Sequence, residues 1–249
     1  MRRLGGLAVA AALVLAFAAA ACGGGDDDAG VAGLAGDEAG GPQPNLSAPS
    51  SRYAPYLSEL RGEFEVDPSS TYGFTAQLYA GSGPFLSPNE AAQLIQEWGY
   101  VDGYQATFQP VGLLAAAVQG RFYVTTETHL FQTIDGARKA FDTYATRYGE
   151  AKDSVAVTNA KALANQSLAF TIESGTLGNS TVKAVYHSFI FRRGNLVAIV
   201  RTFGGAPFMT IEQARAVAVI IDEHALSKRV NDPPTPDTRG GPPTPVGKN

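Results

Sequence analysis

The chain has 249 residues, 45% of them hydrophobic and 17% charged, with 19 Lys and Arg against 23 Asp and Glu for a net charge of −4. That acidic balance excludes a nucleic-acid binder, which needs a basic face to displace counterions from phosphates. A single cysteine excludes an internal disulfide, so the fold must rest on an apolar core, for which the composition is sufficient.

The N-terminus begins with Arg2-Arg3, continues through an apolar run from Leu4 to Ala21, and reaches the only cysteine, Cys22, ahead of Gly23-Gly24-Gly25-Asp26-Asp27-Asp28. A basic start, an apolar stretch and small residues at its end make an export signal. Ala19-Ala20-Ala21-Cys22 resembles the lipobox of bacterial lipoproteins, departing from it at Ala19, where that family usually has Leu. In that family the thiol is lipidated and becomes the first residue of the mature chain. The resemblance implies a protein exported and held to the outer face of the cell membrane through acyl chains on Cys22. A plain signal peptidase site before Cys22, or an uncleaved anchor over Leu4 to Ala21, are the alternative readings. Loss of residues 1–21 removes two of the 19 basic residues and none of the 23 acidic ones, so the net charge moves from −4 to −6.

Residues 22–51 are Gly, Asp, Ala, Pro and Ser with few large apolar side chains, a composition that predicts a flexible tether. Residues 231–249 carry six prolines among Thr and Gly and predict an extended tail. Between them, residues 52–230 are expected to form one domain.

Three helices announce themselves within that domain. Ser87-Pro88-Asn89-Glu90 is a capping box opening a helix through Trp98. Thr133 precedes a second, with Ile134, Ala137, Phe141, Tyr144 and Tyr148 at spacings of three and four up to Gly149. Thr210, with Gln213 as box partner, precedes a third running toward Leu226. A shorter helix is expected around Tyr56 to Leu60. The openings Thr133-Ile134-Asp135-Gly136-Ala137-Arg138 and Thr210-Ile211-Glu212-Gln213-Ala214-Arg215 match closely. The match hints at a duplicated strand-to-helix unit, or at two helices obeying the same capping rules.

Strands are expected at Tyr100 to Gln109, Arg121 to Phe131, Ser167 to Glu173, Thr181 to Arg193 and Leu196 to Phe203. Gly194-Asn195 reads as a two-residue hairpin loop with positive φ angles. Its register sets Phe191 opposite Ala198, Phe189 opposite Val200 and His187 opposite Thr202. The other face then carries Tyr186, Ile190, Val197, Ile199 and Phe203, so the hairpin should be central and covered on both sides. The fold class is α+β, a single mostly antiparallel sheet with helices packed on it. Trp98-Gly99-Tyr100, Gly103-Tyr104 and Phe191-Arg192-Arg193-Gly194-Asn195-Leu196-Val197 resemble a recurrent type of uncharacterised bacterial lipoprotein, some of which resemble the Mog1/PsbP-like sandwich.

No residue set carries a metal, phosphate-loop or serine-nucleophile signature, and no cofactor or catalytic group is assigned. His187 reads as a hydrogen-bonded core residue, and His224 as a helix-end residue favoured by the dipole. In an extended strand Tyr123, Glu127 and His129 share a half-solvated face, with Phe122, Val124 and Leu130 turned to the core. Tyr100, Tyr104, Tyr123, Glu127 and His129 form the candidate ligand groove. The expected function is a non-catalytic domain binding a small ligand or an envelope protein. An envelope hydrolase or isomerase using Glu127 and His129 as a base pair is the alternative, and an accessory subunit of a transport or secretion complex is a third.

Overall fold

Local sequence sets the elements. The computed structural model describes residues 41–61, 64–82, 87–112, 120–177 and 180–229. The signal, Cys22, residues 22–40 of the expected tether and the tail over 231–249 lie outside the described residues. In chain order the structure has β1 (Phe64–Val66), β2 (Tyr72–Phe74), α1 (Ala76–Ser82), α2 (Pro88–Trp98), β3 (Tyr100–Pro110), β4 (Arg121–Phe131), α3 (Ile134–Gly149), β5 (Ser154–Ala156), β6 (Gln166–Thr176), β7 (Lys183–Arg193), β8 (Leu196–Gly205) and α4 (Ile211–Ala225). The helix expected near Tyr56 is a single 3-10 turn, Leu57–Glu59.

The caps act as the sequence predicts. The Ser87 hydroxyl accepts from the Glu90 amide at 3.2 Å, and Gly99, at φ 63°, ends α2 in the left-handed conformation. Thr133 accepts from the Gly136 amide at 3.0 Å to open α3. At α4 the box is reciprocal, with Gln213 Oε1 accepting from the Thr210 amide at 2.8 Å.

The sheet runs β1-β3-β4-β8-β7-β6-β5, with β2 also on β3, and all its pairings are antiparallel. The β7–β8 hairpin keeps the expected register, Phe191 facing Ala198, Phe189 facing Val200 and His187 facing Thr202. Only Gly194 of the two loop residues has positive φ, at 57°. Every residue from Phe189 to Val200 is buried, as a central hairpin covered on both sides requires.

On one face, Leu130, Phe189, Phe191, Leu196 and Val200 pack beneath Ala214, Ala218 and Ile221 of α4. On the other, Phe131, Ile190, Val197 and Ile199 pack beneath α1, α2 and α3 through Tyr79, Trp98, Phe141 and Tyr144. Each large side chain so enclosed stabilises the fold by about 1.5–3 kcal/mol. The two matching helices thus lie on opposite faces.

Residues 41–51, expected in the tether, lie against the domain instead. Asn195 Oδ1 accepts from the Leu46 amide at 2.6 Å, and Asn195 Nδ2 donates to Leu46 O at 3.0 Å and to Phe131 O at 2.7 Å. Arg193 Nη1 donates to Pro42 O at 3.0 Å, and Gly194 leaves no room for a β-carbon beneath the Pro44 carbonyl. Among the described residues the domain's contacts therefore extend back to Gly41 and Pro42, ahead of the expected boundary at Arg52. Composition misleads here because the segment is held by polar backbone groups meeting buried Asn and Arg side chains, with little apolar burial of its own.

Candidate functional site

The side chains of β4 alternate, so Thr125, Glu127 and His129 share the face that α1–α3 partly cover, while Val124 and Leu130 enter the core under α4. The face expected to be half-solvated is mostly closed: His129 is 0% exposed and Glu127 9%. His129 Nε2 donates to Glu127 Oε2 at 3.1 Å, and the other Glu127 oxygen accepts from Arg201 Nη2 on β8. Burial alone would raise the Glu127 carboxyl, but the Arg201 guanidinium and the His129 imidazole outweigh it and hold it down at about 2. Arg201 is raised, because the Glu127 carboxylate more than offsets the effect of its own burial.

Aromatic rings enclose the imidazole. Tyr79 lies 4.6 Å from His129 and stacks on Tyr100 at 4.5 Å, with Phe74 at 5.2 Å and Tyr144 at 6.1 Å. The Tyr79 and Tyr144 hydroxyls are 2.6 Å apart, and the Tyr100 hydroxyl donates to His129 Nδ1 at 3.4 Å. Burial raises the phenols of Tyr79, Tyr100 and Tyr144, so all three stay protonated. Gly103 makes room for this arrangement: a β-carbon there would lie 2.6 Å from His129 Nδ1.

Farther along the same face the apolar cluster ends, and the next row outward is Tyr123, Phe203 and Tyr186, directly paired across β4, β8 and β7. Tyr186 stacks on Phe203 at 4.4 Å, Tyr123 lies 5.2 Å from it, and all three are half-buried. Phe122, expected to point into the core, is turned by a bulge between Arg121 and Tyr123 and meets Phe203 at 5.4 Å. Between this row and Glu127 sits Arg201, its side chain 39% exposed, flanked by Thr125 and Ser188.

The structure divides the expected groove. Glu127, His129 and Tyr100 come together, and Tyr123 lies two residues farther out on the same strand face. Tyr104 does not join them. A bulge between Tyr100 and Asp102 reverses the alternation of β3, so Tyr104 packs into the core under α4. Tyr100 also borders a cleft of about 690 Å³ with Gln77, Gln96 and Gln132. Sequence reasoning missed Arg201 and Tyr144. The signal for Arg201 was the one charge on a β8 face otherwise built from Val197, Ile199 and Phe203.

Outside this site, the remaining histidines are structural. His187 Nε2 donates to Met209 O at 3.1 Å and Nδ1 accepts from Thr171 at 2.8 Å. His224 bonds the backbone carbonyl of Ala54 at 3.2 Å and Glu59 Oε1 at 3.0 Å. Among the described residues no three His, Cys, Asp or Glu side chains converge as metal ligands do, and no helix is long and apolar enough to cross a membrane.

No family model matches the sequence, and neither does any curated protein. Among solved structures the chain is similar to the extracellular domain of PknH from Mycobacterium tuberculosis, with 16% identity and a TM-score of 0.40 over 74% of this chain and 100% of that one.

Proposed function

We propose that the chain is an exported lipoprotein, anchored to the outer face of the cell membrane through Cys22, whose domain binds a ligand or envelope partner without chemically altering it. The Ala19-Ala20-Ala21-Cys22 sequence after an apolar run supports the anchor. The observation that carries the binding reading is the asymmetry of the trio, in which His129 is sealed, Glu127 is engaged on both oxygens and Arg201 alone is partly exposed, its side chain 39% open to solvent. A general base must reach the proton it takes, and the ring cage keeps His129 from any substrate.

The test is metabolic labelling with radioactive palmitate in a bacterial host that processes lipoproteins. Label should enter the wild-type membrane fraction and vanish in Cys22→Ser; label that persists in the variant refutes the anchor. Turnover of polysaccharide or peptide substrates by the purified protein, lost in Glu127→Gln, would replace the binding reading with the hydrolase one.

A further inference from the structure

We infer that the polar groove at the β7–β8 tip, filled in the structure by residues 41–46, is a dock for an extended Gly-Pro peptide, and that its second occupant is residues 241–246 of the same chain. The inference goes beyond the anchored, ligand-binding reading and does not rest on it.

The groove grips backbone. Asn165 Nδ2 donates to the Gly41 and Pro42 carbonyls at 3.4 Å, and Arg193 Nη1 donates to the Pro42 carbonyl at 3.0 Å. Asn195 takes both the amide and the carbonyl of Leu46, and Gly194 has no side chain to block the Pro44 carbonyl. Asn165, Arg193 and Asn195 are all buried, whereas Gly41, Pro42, Gln43 and Asn45 are exposed. Gln43 is held by its side chain, through Arg192 Nη1 at 3.4 Å, and Leu46 packs on the core beneath α4. The groove therefore asks three things of an occupant. Position 41 favours glycine, since a β-carbon there would lie 3.0 Å from Arg193 Nη1. Position 46 needs a free amide on an apolar residue. The backbone between them must be extended, which prolines favour.

The C-terminal sequence meets all three at a constant offset of 200 residues. In Gly241-Pro242-Pro243-Thr244-Pro245-Val246, glycine and proline fall first and second, and Val246, apolar and with its amide, falls sixth. Pro243 and Pro245 fall at positions 43 and 45, whose amides make no hydrogen bond to the groove among the described residues, so their missing N–H groups lose nothing there. The Gln43 bond has no counterpart, but Arg192 keeps Gln166 Oε1 and the Gly194 carbonyl.

Placement favours the same chain. Asp222, in the last turn of α4, pairs with Arg193 in the groove wall, so the helix ends at the dock. The eleven residues 230–240 reach up to about 36 Å when extended, ample for a return to it. Exchange leaves no buried donor stranded, because the incoming segment offers the carbonyls and amide that the departing one removes. The departing segment opens readily, since Leu46 supplies most of its apolar contact. One terminal segment docked thus means the other released.

The experiment is amide hydrogen exchange of the full chain, read by NMR at Leu46. Gly241→Val/Val246→Asp, which changes only residues outside the described domain, should slow that exchange about threefold, because the altered tail no longer displaces residues 41–46. A synthetic peptide of residues 239–249, added to this variant at about 1 mM, the effective concentration of a short tether, should restore the faster exchange, and a scrambled peptide should not. Equal rates in wild type and variant, or a peptide effect that survives scrambling, overturns the inference. A wild-type rate that rises with protein concentration overturns the same-chain assignment, since it puts the tail in the dock of a neighbouring copy. Palmitate labelling is read separately, so the anchor and the dock fail independently.

Discussion

Two arginine–carboxylate pairs close on the β7–β8 hairpin, and they differ in what reaches solvent. Arg193 meets Asp222 of α4 in a two-pronged pair at 2.6 and 2.9 Å, with side chains 7% and 8% exposed. Arg201 meets Glu127 with its own side chain 39% exposed and its partner's 12%. The first pair is sealed between sheet and helix and acts as a clamp. The second has one sealed member and one displayed member, the arrangement of a group held ready for something outside. A buried charge pair is costly to desolvate and seldom justified by stability alone, so the displayed one is the better guide to function.

Breaking each pair should separate these roles. Asp222→Ala strands the Arg193 guanidinium in the interior and should cost about 3–5 kcal/mol, read as a lowered urea midpoint. Glu127→Gln should cost on the order of 2 kcal/mol, discounted because Arg201 can turn to water.

Acid gives a view of the same pair without mutation. Glu127 has a folded value near 2 against an ordinary 4.5, so its contribution is complete above about pH 4.5 and disappears as pH falls through about 2. That decline should be missing from urea titrations of Glu127→Gln. His187, lowered from 6.5 mainly by burial, has the same sign in a higher window. Its contribution is present above pH 6.5 and is lost as pH falls below it, so a shallower decline should come first and be absent in His187→Gln. The smallest effect expected is at the helix caps: Thr133→Ala should cost about 1 kcal/mol, the worth of one capped amide.

The sequence was most readable where a few neighbouring residues decide the outcome. Ser87, Thr133 and Thr210 mark helix starts because each cap bonds an amide three positions away. Gly194-Asn195 sets the hairpin register because a two-residue loop admits one pairing. What escaped depends on distant parts of the chain. Glu127 and Arg201 are 74 residues apart and meet only because β4 lies beside β8, an order that no local pattern encodes. Tyr104 was grouped with the other groove tyrosines, and the bulge in β3 that turns it to the opposite face from Tyr100 cannot be seen from side-chain periodicity. Residues 41–51 were assigned to the tether because their partners, Asn195 and Arg193, become donors to them only after the hairpin has formed.

Asn195 ties Leu46 on one side and Phe131 on the other, at the head of the sheet's two middle strands. The segment around Leu46 is thus fastened to central strands, whose hydrogen bonds are flanked by neighbours on both sides, and not to an edge strand that could fray from the sheet.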